Sequence, residues 1–343
     1  MTKEVKKEAL LGKTLPQLTD LVAGRSWPTY VARQLAEWLY VHRAKDFESM
    51  TNLSKAIRAE LNASFEPGTA EPSDVRVSTD GTKKYLFPVS AGGYVEAVYI
   101  PEGKRHTLCV SSQVGCRMGC RFCMTGRQGL RGQLSAGEIV NQVLHVPESN
   151  LLTNIVYMGM GEPLDNLEEV IGSLDILCAG YGPGMSPRRI TVSTIGILPA
   201  LDQFLQRSKC RLAISLHSPF HEERRQLVPM EKAHPLSQLL DSLRRHPAER
   251  QRRVSFEYIV FSDLNHSKEH VNALARLLQG ISCRINLIRF HKIPGSSLQS
   301  PRQESINAFK EALEGKGIRT TIRKSRGQDI EAACGLLFTQ SAK

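Results

Sequence analysis

Apolar residues recur with two different periods along this chain of 343 residues. In the N-terminal part, apolar positions at helical spacing predict helices over residues 27–40 and 53–61. Residues 65–73 carry two prolines and a glycine, which predicts a linker. Shorter apolar runs over 84–89 and 94–99 predict strands. The first hundred residues therefore predict a small helical part followed by a few strands.

From residue 107 onward, strand-like and helical segments alternate. The predicted strands cover residues 107–112, 154–158, 189–194, 211–217, 254–261 and 284–290. The predicted helices between them cover residues 136–145, 167–177, 200–207, 236–245 and 268–279. A last helix over 302–314 leads to a strand over 318–323. Six successive βα units predict a parallel sheet and favour a barrel or partial barrel, although a doubly wound open sheet also fits the pattern. In a barrel, catalytic residues lie at the C-terminal ends of the strands.

The charge balance adds an expected partner to this picture. Lys and Arg number 45 against 34 Asp and Glu, a surplus of 11, and the sequence pI is near 9.3. Such a surplus favours polyanion partners, while an uninvolved basic surface is the alternative. Clustering favours the first interpretation, and the clusters are Arg117 to Arg131, Arg188-Arg189, Arg224-Arg225 and Arg319 to Arg326.

We expect a cytoplasmic protein, because the sequence shows neither a membrane span nor a secretion signal. No apolar stretch has the length of a membrane span, so we expect no membrane contact. The first eleven residues, MTKEVKKEALL, contain no long apolar run and no small-residue cleavage site.

Three of the eight cysteines lie within eight residues, in the sequence CRMGCRFC. Cys116, Cys120 and Cys123 could hold a four-iron cluster with one iron left open for chemistry. The alternative is a zinc site, for which Cys109 is available as a fourth ligand but lies earlier, on a predicted strand. The position after the first barrel strand favours the iron–sulfur interpretation. We expect Cys178, Cys210 and Cys283 to be buried core residues.

This cysteine loop resembles that of the radical S-adenosylmethionine superfamily, and further motifs narrow the resemblance. Residues 107–126, TLCVSSQVGCRMGCRFCMTG, are similar to the RlmN/Cfr family of ribosomal RNA adenine methyltransferases. The other matching motifs, in chain order, are MTNLSK at 50–55, GMGEPLDN at 159–166, VSTIGI at 192–197, AISLHSP at 213–219 and DIEAACG at 329–335. The resemblance implies an α/β fold with a partial (β/α)6 TIM-like radical SAM barrel and a small N-terminal helical domain.

The resemblance also implies roles for three further residues. Cys334 matches the cysteine that receives a methyl group from one S-adenosylmethionine, while a second molecule at the cluster supplies a 5′-deoxyadenosyl radical. Glu96 matches the proton acceptor at the adenine ring carbon, and Cys109 matches the cysteine that pairs with Cys334 to release the product. Without the family, Glu96 would be interpreted as an exposed strand carboxylate. An aromatic amidine C–H is not nucleophilic, so a radical route with a tethered methyl group suits this chemistry.

The implied S-adenosylmethionine contacts lie at strand ends and are Gly161, Glu162, Ser193, Ser215, Leu216, His217 and His291. Gly161 and Glu162 are expected to end the second strand. Two positions depart from the family pattern. His291 occupies a position where the family usually has Asn, so its protonation would matter near neutral pH. Glu231 also stands where Asn is usual, and we expect it to adjust a loop.

The family divides by the adenine carbon that is methylated. GMGEPLDN favours the C2 branch, whereas SPRRITVSTIGI and SLHSP resemble the C8 branch, which confers resistance to ribosome-targeting antibiotics. We expect C2 methylation of one adenine in 23S rRNA. The alternatives are C8 methylation, a radical enzyme acting on a small metabolite, and a non-enzymatic, metal-stabilised RNA-binding protein.

The expected organisation and partners follow from this interpretation. Residues 1–68 should form the N-terminal helical RNA-binding module, for which a structural cap on the barrel is the alternative. Residues 69–106 should form a linker and β-extension, and residues 107–343 the barrel with the segment that carries Cys334. We expect 23S rRNA as substrate, tRNA as a further candidate, a reducing donor such as flavodoxin, and a monomer.

Overall fold

Ten strands form one sheet, and its parallel part follows the order of the chain. The structure, a computed structural model, describes residues 7–246 and 254–338. The described residues do not include residues 1–6, which begin the expected N-terminal module and belong to the eleven residues considered for a leader. They also do not include residues 247–253 and 339–343 of the expected barrel segment. Within the described ranges, no helix is both long enough and apolar enough to cross a membrane.

The N-terminal part contains three helices, α1 (Leu15–Gly24), α2 (Tyr30–Tyr40) and α3 (Lys55–Ser64). Helices α2 and α3 correspond to the two predicted from apolar periodicity, whereas α1 was not predicted. Helix α1 begins with a capping box formed by Thr14 and Gln17, whose side chains satisfy backbone groups at its first turn. Two short strands, β1 (Glu8–Ala9) and β2 (Phe65–Glu66), pair in parallel and close this part on itself.

Three antiparallel strands, β3 (Asp74–Val77), β4 (Lys83–Pro88) and β5 (Tyr94–Glu102), follow. We call them the β-extension because β5 pairs with the first barrel strand and continues its sheet. Strand β3 was not predicted. Its sequence DVRV alternates polar and apolar residues over only four positions, and all four are exposed. The boundaries expected after residues 68 and 106 stay predictions.

The barrel strands are β6 (Arg105–Val110), β9 (Asn154–Tyr157), β10 (Ile190–Thr194), β11 (Arg211–Ser215), β12 (Val254–Val260), β13 (Cys283–Arg289) and β14 (Thr320–Arg323). Each pairs in parallel with the strand that follows it in this order, so the strand order never reverses. A doubly wound sheet would require a reversal. The observed order confirms the predicted α/β partial barrel.

The helices between the barrel strands lie where apolar periodicity placed them. They are α5 (Ala136–Leu144), α6 (Leu167–Cys178), α7 (Ala200–Arg207), α9 (Leu236–Arg245), α10 (Lys268–Leu277) and α11 (Gln303–Gly315). A short helix after β11, α8 (His221–Leu227), was not predicted. Buried strand residues such as Val192, Ile214 and Phe256 form the core with the inner faces of these helices.

An antiparallel hairpin frames the three clustered cysteines and was not predicted either. It consists of β7 (Gln113–Cys116) and β8 (Gly129–Gln133), with the short helix α4 (Met124–Arg127) between them. The register shifts between Val114 and Gly115, which marks a bulge. Gly115 has a φ of 75°, and a Cβ there would lie 1.9 Å from the Gly129 carbonyl oxygen.

We therefore predict that Gly115→Ala lowers the thermal unfolding midpoint much more than Gly129→Ala does. Gly129 lies in the same hairpin with a φ of 68°, but a Cβ there meets nothing within 4 Å. The control substitution should cost only the left-handed conformation, about 1–2 kcal/mol. Gly115→Ala adds a steric overlap that costs about 1–3 kcal/mol more. Equal midpoints for the two variants in a calorimetric scan would contradict the close approach at Gly115.

Candidate active site

The three clustered cysteines lie on one loop that starts in the hairpin and ends at helix α4. Cys116 is the last residue of β7, Cys120 lies in the turn, and Cys123 occupies the N-cap of α4. Cys120 interacts electrostatically with both of the others, so the three thiols are neighbours. Burial raises the pKa of all three thiols. Without a positive partner they would therefore stay protonated, and a metal centre is the partner that ionises thiols.

These three thiols line a cavity of about 150 Å³. In residues 7–246 and 254–338, no three His, Cys, Asp or Glu side chains form a site for a single metal ion. The donor set fits a four-iron cluster, because three soft thiol ligands are present and the cavity beside them leaves one side open. We call residues 116–123 the cluster loop.

Gly161 and Glu162 line the same cavity, in the loop after β9. The sequence predicted that these two residues end the strand. The strand ends at Tyr157, so both residues lie beyond it. The Glu162 carboxylate accepts hydrogen bonds from the backbone N–H groups of Leu164 and Ile195, each at 3.0 Å. Burial raises the pKa of Glu162 to about 7. This carboxylate is therefore fixed in position and close to its ionisation midpoint at neutral pH.

The ends of β10 and β11 contribute Ser193, Ser215 and His217 to this cavity. The Nδ1 atom of His217 accepts a hydrogen bond from the Ile259 N–H at 3.0 Å. Its Nε2 atom is buried without a hydrogen-bond partner. Burial lowers the pKa of His217 to about 3, so the ring is neutral and Nε2 carries the proton. A buried donor without a partner, in a cavity wall, fits a bound polar ligand. Leu216 is fully buried, and its N–H donates to the Glu257 carbonyl oxygen.

His291 does not line the cavity of the three cysteines. It lines a second cavity of about 410 Å³ in the barrel. Its Nε2 atom lies 2.7 Å from the Ser325 hydroxyl oxygen. Burial and the neighbouring Arg289 lower the pKa of His291, which favours the neutral ring at neutral pH.

Cys334 is the predicted residue that connects these two cavities, because it lines both. It lies in residues 327–338, which we call the C-terminal segment. On one side, the Met124 N–H donates to the Gly335 carbonyl oxygen, and the Thr125 hydroxyl donates to the Leu337 carbonyl oxygen, each at 2.8 Å. Helix α4, directly after the cluster loop, therefore holds the segment at and beyond Cys334.

The β-extension holds the same segment from the other side. In the turn between β3 and β4, the Asp80 carboxylate accepts a hydrogen bond from the Gly327 N–H at 3.0 Å. The Ser78 hydroxyl donates to the Asp329 carboxylate at 2.6 Å. The segment before Cys334 is thus fixed by residues 247 and 251 positions earlier in the chain.

Cys109 is buried on β6 and interacts electrostatically with Cys334, so the structure brings these two cysteines together. Burial raises the pKa of Cys109 to about 12, and Cys334 contributes to this shift. Arg323, at the end of β14, opposes it through its positive charge. The guanidinium also donates to the Met158 sulfur at 3.0 Å and lines both cavities. Sequence reasoning treated Arg323 only as part of a basic cluster and did not place it beside the two thiols.

Glu96 differs from an ordinary strand carboxylate because it is buried and ion-paired. Its Oε1 atom lies 3.0 Å from the Lys84 ammonium nitrogen, and its Oε2 atom accepts a hydrogen bond from the Phe338 N–H at 3.0 Å. Burial raises the pKa of Glu96. Glu96 is not part of the wall of either cavity. It contacts the C-terminal segment instead. Sequence reasoning missed Lys84, whose side chain is only 6% exposed.

Glu257 is a second residue that sequence reasoning missed. It lies on β12 and lines both cavities. Its Oε1 atom accepts a hydrogen bond from the Asn286 amide at 2.7 Å, whereas Oε2 is buried without a hydrogen-bond partner. A single carboxylate in the buried strand VSFEYIV was the available signal, because an isolated charge in such a strand needs a reason.

Two expectations about charged residues need correction. Arg224 was counted among the basic clusters, but its side chain is only 1% exposed and forms an ion pair with Glu231. It also donates to the backbone carbonyl oxygens of Ile195 and Ser215, at the ends of β10 and β11. Glu231, expected to adjust a loop, is therefore the buried counter-ion of this arginine. The pair supports the strand ends from which the cavity is built.

The remaining cysteines lie outside both cavities. Cys210 is buried, as expected, whereas Cys178 and Cys283 are only half-buried. The sulfur atoms of Cys178 and Cys210 lie 4.0 Å apart. Their surroundings are apolar, so core packing accounts for them.

Comparison with known proteins identifies the family. Residues 110–278 match the radical SAM superfamily, and residues 9–66 match the ribosomal RNA large subunit methyltransferase N-terminal domain. A protein of Porphyromonas gingivalis named probable dual-specificity RNA methyltransferase RlmN is 56% identical over 342 residues, covering 100% of this chain and 97% of that protein. The dual-specificity RNA methyltransferase RlmN of Pseudomonas fluorescens is 40% identical and covers 99% and 92%, respectively.

A solved structure gives the same result at the level of the fold. The crystal structure of a radical SAM methyltransferase from Sphaerobacter thermophilus superposes with a TM-score of 0.90 at 40% identity, covering 97% of this chain and 100% of that one. Matches of this identity extend over both the N-terminal part and the barrel. The chain therefore belongs to the RlmN family of radical SAM RNA methyltransferases, enzymes that use a four-iron cluster and S-adenosylmethionine.

Proposed function

We propose that this enzyme methylates an adenine of 23S rRNA at C2, with Cys334 as the carrier of the methyl group. The observation that carries the proposal is the position of Cys334, which lines both the cavity of the three cluster cysteines and the larger barrel cavity. A carrier has to meet the methyl source on one side and the acceptor base on the other. Family membership in turn argues against the non-enzymatic, metal-stabilised RNA-binding protein.

Most of the proposed cofactor-binding residues line the cavity of the cluster cysteines, whereas His291 lines only the larger cavity and Leu216 lines neither. Cys116, Cys120 and Cys123 would hold the cluster. The residues that would bind S-adenosylmethionine are Gly161, Glu162, Ser193, Ser215, Leu216, His217 and His291. When bound, the cluster and S-adenosylmethionine supply a methyl group and a radical that can abstract a hydrogen atom. The neutral His217 offers a hydrogen-bond donor to this ligand, and the buried Glu162 offers an acceptor.

The protein's own residues then perform three tasks at the base. Cys334 holds the methyl carbon next to the adenine, which makes bond formation intramolecular. We assign acceptance of the proton that leaves the ring carbon to Glu96, which contacts the C-terminal segment at Phe338. The odd electron that bond formation leaves on the adduct would be taken up by the cluster when it is bound. The Cys109 thiolate attacks the Cys334 sulfur, so that a disulfide forms while the bond from that sulfur to the carrier carbon breaks. The electron pair goes to the carbon, which takes up a proton and becomes the methyl group of the product.

The larger cavity supports an RNA substrate. Lys324 and Arg326, in the stretch that follows the carboxyl end of β14, line it together with Cys334. RNA phosphates bind such residues, and the target base would have to leave its stack to reach Cys334. We assign RNA binding to the N-terminal module as well. A second substrate, tRNA, agrees with the dual specificity in the names of the relatives. The flavodoxin donor and the monomeric state stay predictions.

The choice between C2 and C8 rests on sequence motifs. GMGEPLDN, with Pro163, favours C2, and Pro163 starts a short 3-10 helix directly after Glu162. The motifs SPRRITVSTIGI and SLHSP favour C8 as the second candidate. A product assay distinguishes the two branches directly.

We predict that anaerobic incubation of protein-free 23S rRNA with the reconstituted enzyme, reductant and S-adenosylmethionine yields 2-methyladenosine. Mass spectrometry of the digested nucleosides measures it against a synthetic standard. Cys334→Ala should form no product, because the carrier sulfur is lost. Cys109→Ala should accumulate protein covalently bound to RNA, because no second thiol is present to attack the Cys334 sulfur. The control Cys283→Ala, outside both cavities, should match the unmodified enzyme. If 8-methyladenosine appears instead, the enzyme belongs to the other branch.

Each of the substitutions Cys116→Ala, Cys120→Ala and Cys123→Ala should remove most of the iron and sulfide after anaerobic reconstitution. Two remaining thiols cannot hold a cluster that three thiols hold with one iron already open. Iron and sulfide analysis and the visible absorption of the protein measure the loss. Cys210→Ala is the matched control because this thiol is buried but outside the cavity. Full iron content in any one of the three variants would refute the assigned ligand set.

A further inference from the structure

Lys84 and Glu96 form a buried ion pair on neighbouring strands of the β-extension. Their charged atoms lie 3.0 Å apart, and each side chain is 6% exposed. Lys84 pairs in register with Val98 on β5, and Glu96 pairs with Leu86 on β4, so the two charged residues are diagonal neighbours. The mechanism described above uses Glu96 but gives Lys84 no task.

Both members of the pair also bind the C-terminal segment, one on each side of Cys334. The Lys84 ammonium donates to the Glu331 carbonyl oxygen at 3.4 Å, three residues before Cys334. The Glu96 carboxylate accepts from the Phe338 N–H, four residues after it. Glu331 has a φ of 55°, an uncommon conformation for a residue other than glycine, which fixed contacts maintain. The ion pair therefore fixes the stretch of backbone that contains Cys334.

The charges around Glu96 determine whether it can accept a proton. Burial raises the pKa of Glu96, and Lys84 is the largest contribution that lowers it. The Phe338 N–H and Arg76 on β3 lower it as well. From β6, the Ser111 hydroxyl donates to the backbone carbonyl oxygen of Glu96 rather than to its carboxylate. Lys84 is thus the principal cation that compensates for the burial of this carboxylate.

We propose that Lys84 is a positioning residue for methylation, because its ammonium keeps Glu96 ionised and fixed against the segment that carries Cys334. This inference rests on the proposed function, in which Glu96 accepts the proton from the adenine ring. A carboxylate without this cation would be protonated over a wider pH range and could not accept a proton there. It would also no longer be held at a fixed distance from the carrier cysteine.

The first test measures Glu96 itself and does not depend on turnover. In glutamate-labelled holoenzyme, carbon-detected NMR follows the Glu96 carboxyl signal with pH, and the signal is identified by its absence in Glu96→Gln. In Lys84→Met, the midpoint of the Glu96 titration should move to higher pH. In Lys84→Arg, this midpoint should stay where it is in the unmodified enzyme. Lys83→Met is the matched control, because Lys83 is the preceding lysine on β4 and pairs with Glu148 at 2.7 Å. An unchanged midpoint in Lys84→Met would overturn the proposal.

The second test measures the pH profile of methylation. Since Glu96 has to be ionised, the acid limb of the kcat profile should move to higher pH in Lys84→Met, and the loss of activity should increase as the pH falls. We expect the loss at the acid end to reach about tenfold or more. Lys84→Arg should restore the profile. Lys84→Gln, which keeps a donor for the Glu331 carbonyl oxygen without the charge, should show the same displaced limb. If Lys84→Met does not fold, the Lys84→Gln variant replaces it in both tests.

The outcomes separate this inference from the proposed function. If Lys84→Met loses activity equally at every pH, or keeps all of it, Lys84 is not the positioning residue. If the Glu96 midpoint moves as expected but Glu96→Gln methylates at the unmodified rate, the role of Glu96 as proton acceptor fails. The effect of Lys84 on the ionisation of Glu96 would then still stand. For comparison, loss of a general base usually costs about 10²–10⁴-fold in rate.

Discussion

The arrangement of this site depends on the hydrogen bonds that dock the C-terminal segment. Cys334 lies on neither a helix nor a strand, so its position is set by partners on other elements. Helix α4 holds the segment next to the cluster loop, and the β-extension holds it through Asp80, Lys84 and Glu96. Sites on loops are ordinarily less precise than sites on helices or strands, so these contacts are what fix the position of Cys334. The same segment forms a wall shared by both cavities.

The buried Lys84–Glu96 pair has consequences for energetics as well as geometry. Replacing such a pair with apolar residues is often neutral or stabilising, whereas removing one partner typically costs about 3–5 kcal/mol. Stability alone is therefore a weak reason for an ion pair at this place. Because Glu96 has a raised pKa, its ionised form is destabilising in the fold. The ionised form gives way to the protonated form as the pH falls through that raised value. An ionised carboxylate beside the C-terminal segment therefore costs free energy in this fold, and such perturbed groups cluster at functional sites.

Local sequence patterns predicted the barrel well, because its strands are buried and its helices are amphipathic. The helices α7 and α9, for example, cover the residues that apolar periodicity indicated. Strand β3 escaped prediction because its alternation covers only four exposed residues, and β8 escaped it because two of its five residues are glycines. The cluster loop was evident from the spacing of its three cysteines. The counter-ions were not, since Lys84 contacts Glu331 across 247 positions and a pairing of that separation leaves no local pattern. Similarly, the sequence gives Arg224 the appearance of a surface arginine, because nothing in its local pattern indicates the buried ion pair with Glu231.

The position of Arg323 connects the chemistry of the two thiols with that of the base. The proposed disulfide between Cys109 and Cys334 would require a thiolate, and burial opposes ionisation of Cys109. Arg323 is the cation that interacts with both thiols, and it lines both cavities. In the proposed mechanism, Lys84 and Arg323 therefore have parallel tasks. One compensates for the buried carboxylate that takes up a proton, and the other compensates for the buried thiol that releases one. Glu96 on β5 and Cys109 on β6 lie on neighbouring strands, so the register of this sheet sets the distance between the proposed proton acceptor and the proposed resolving thiol.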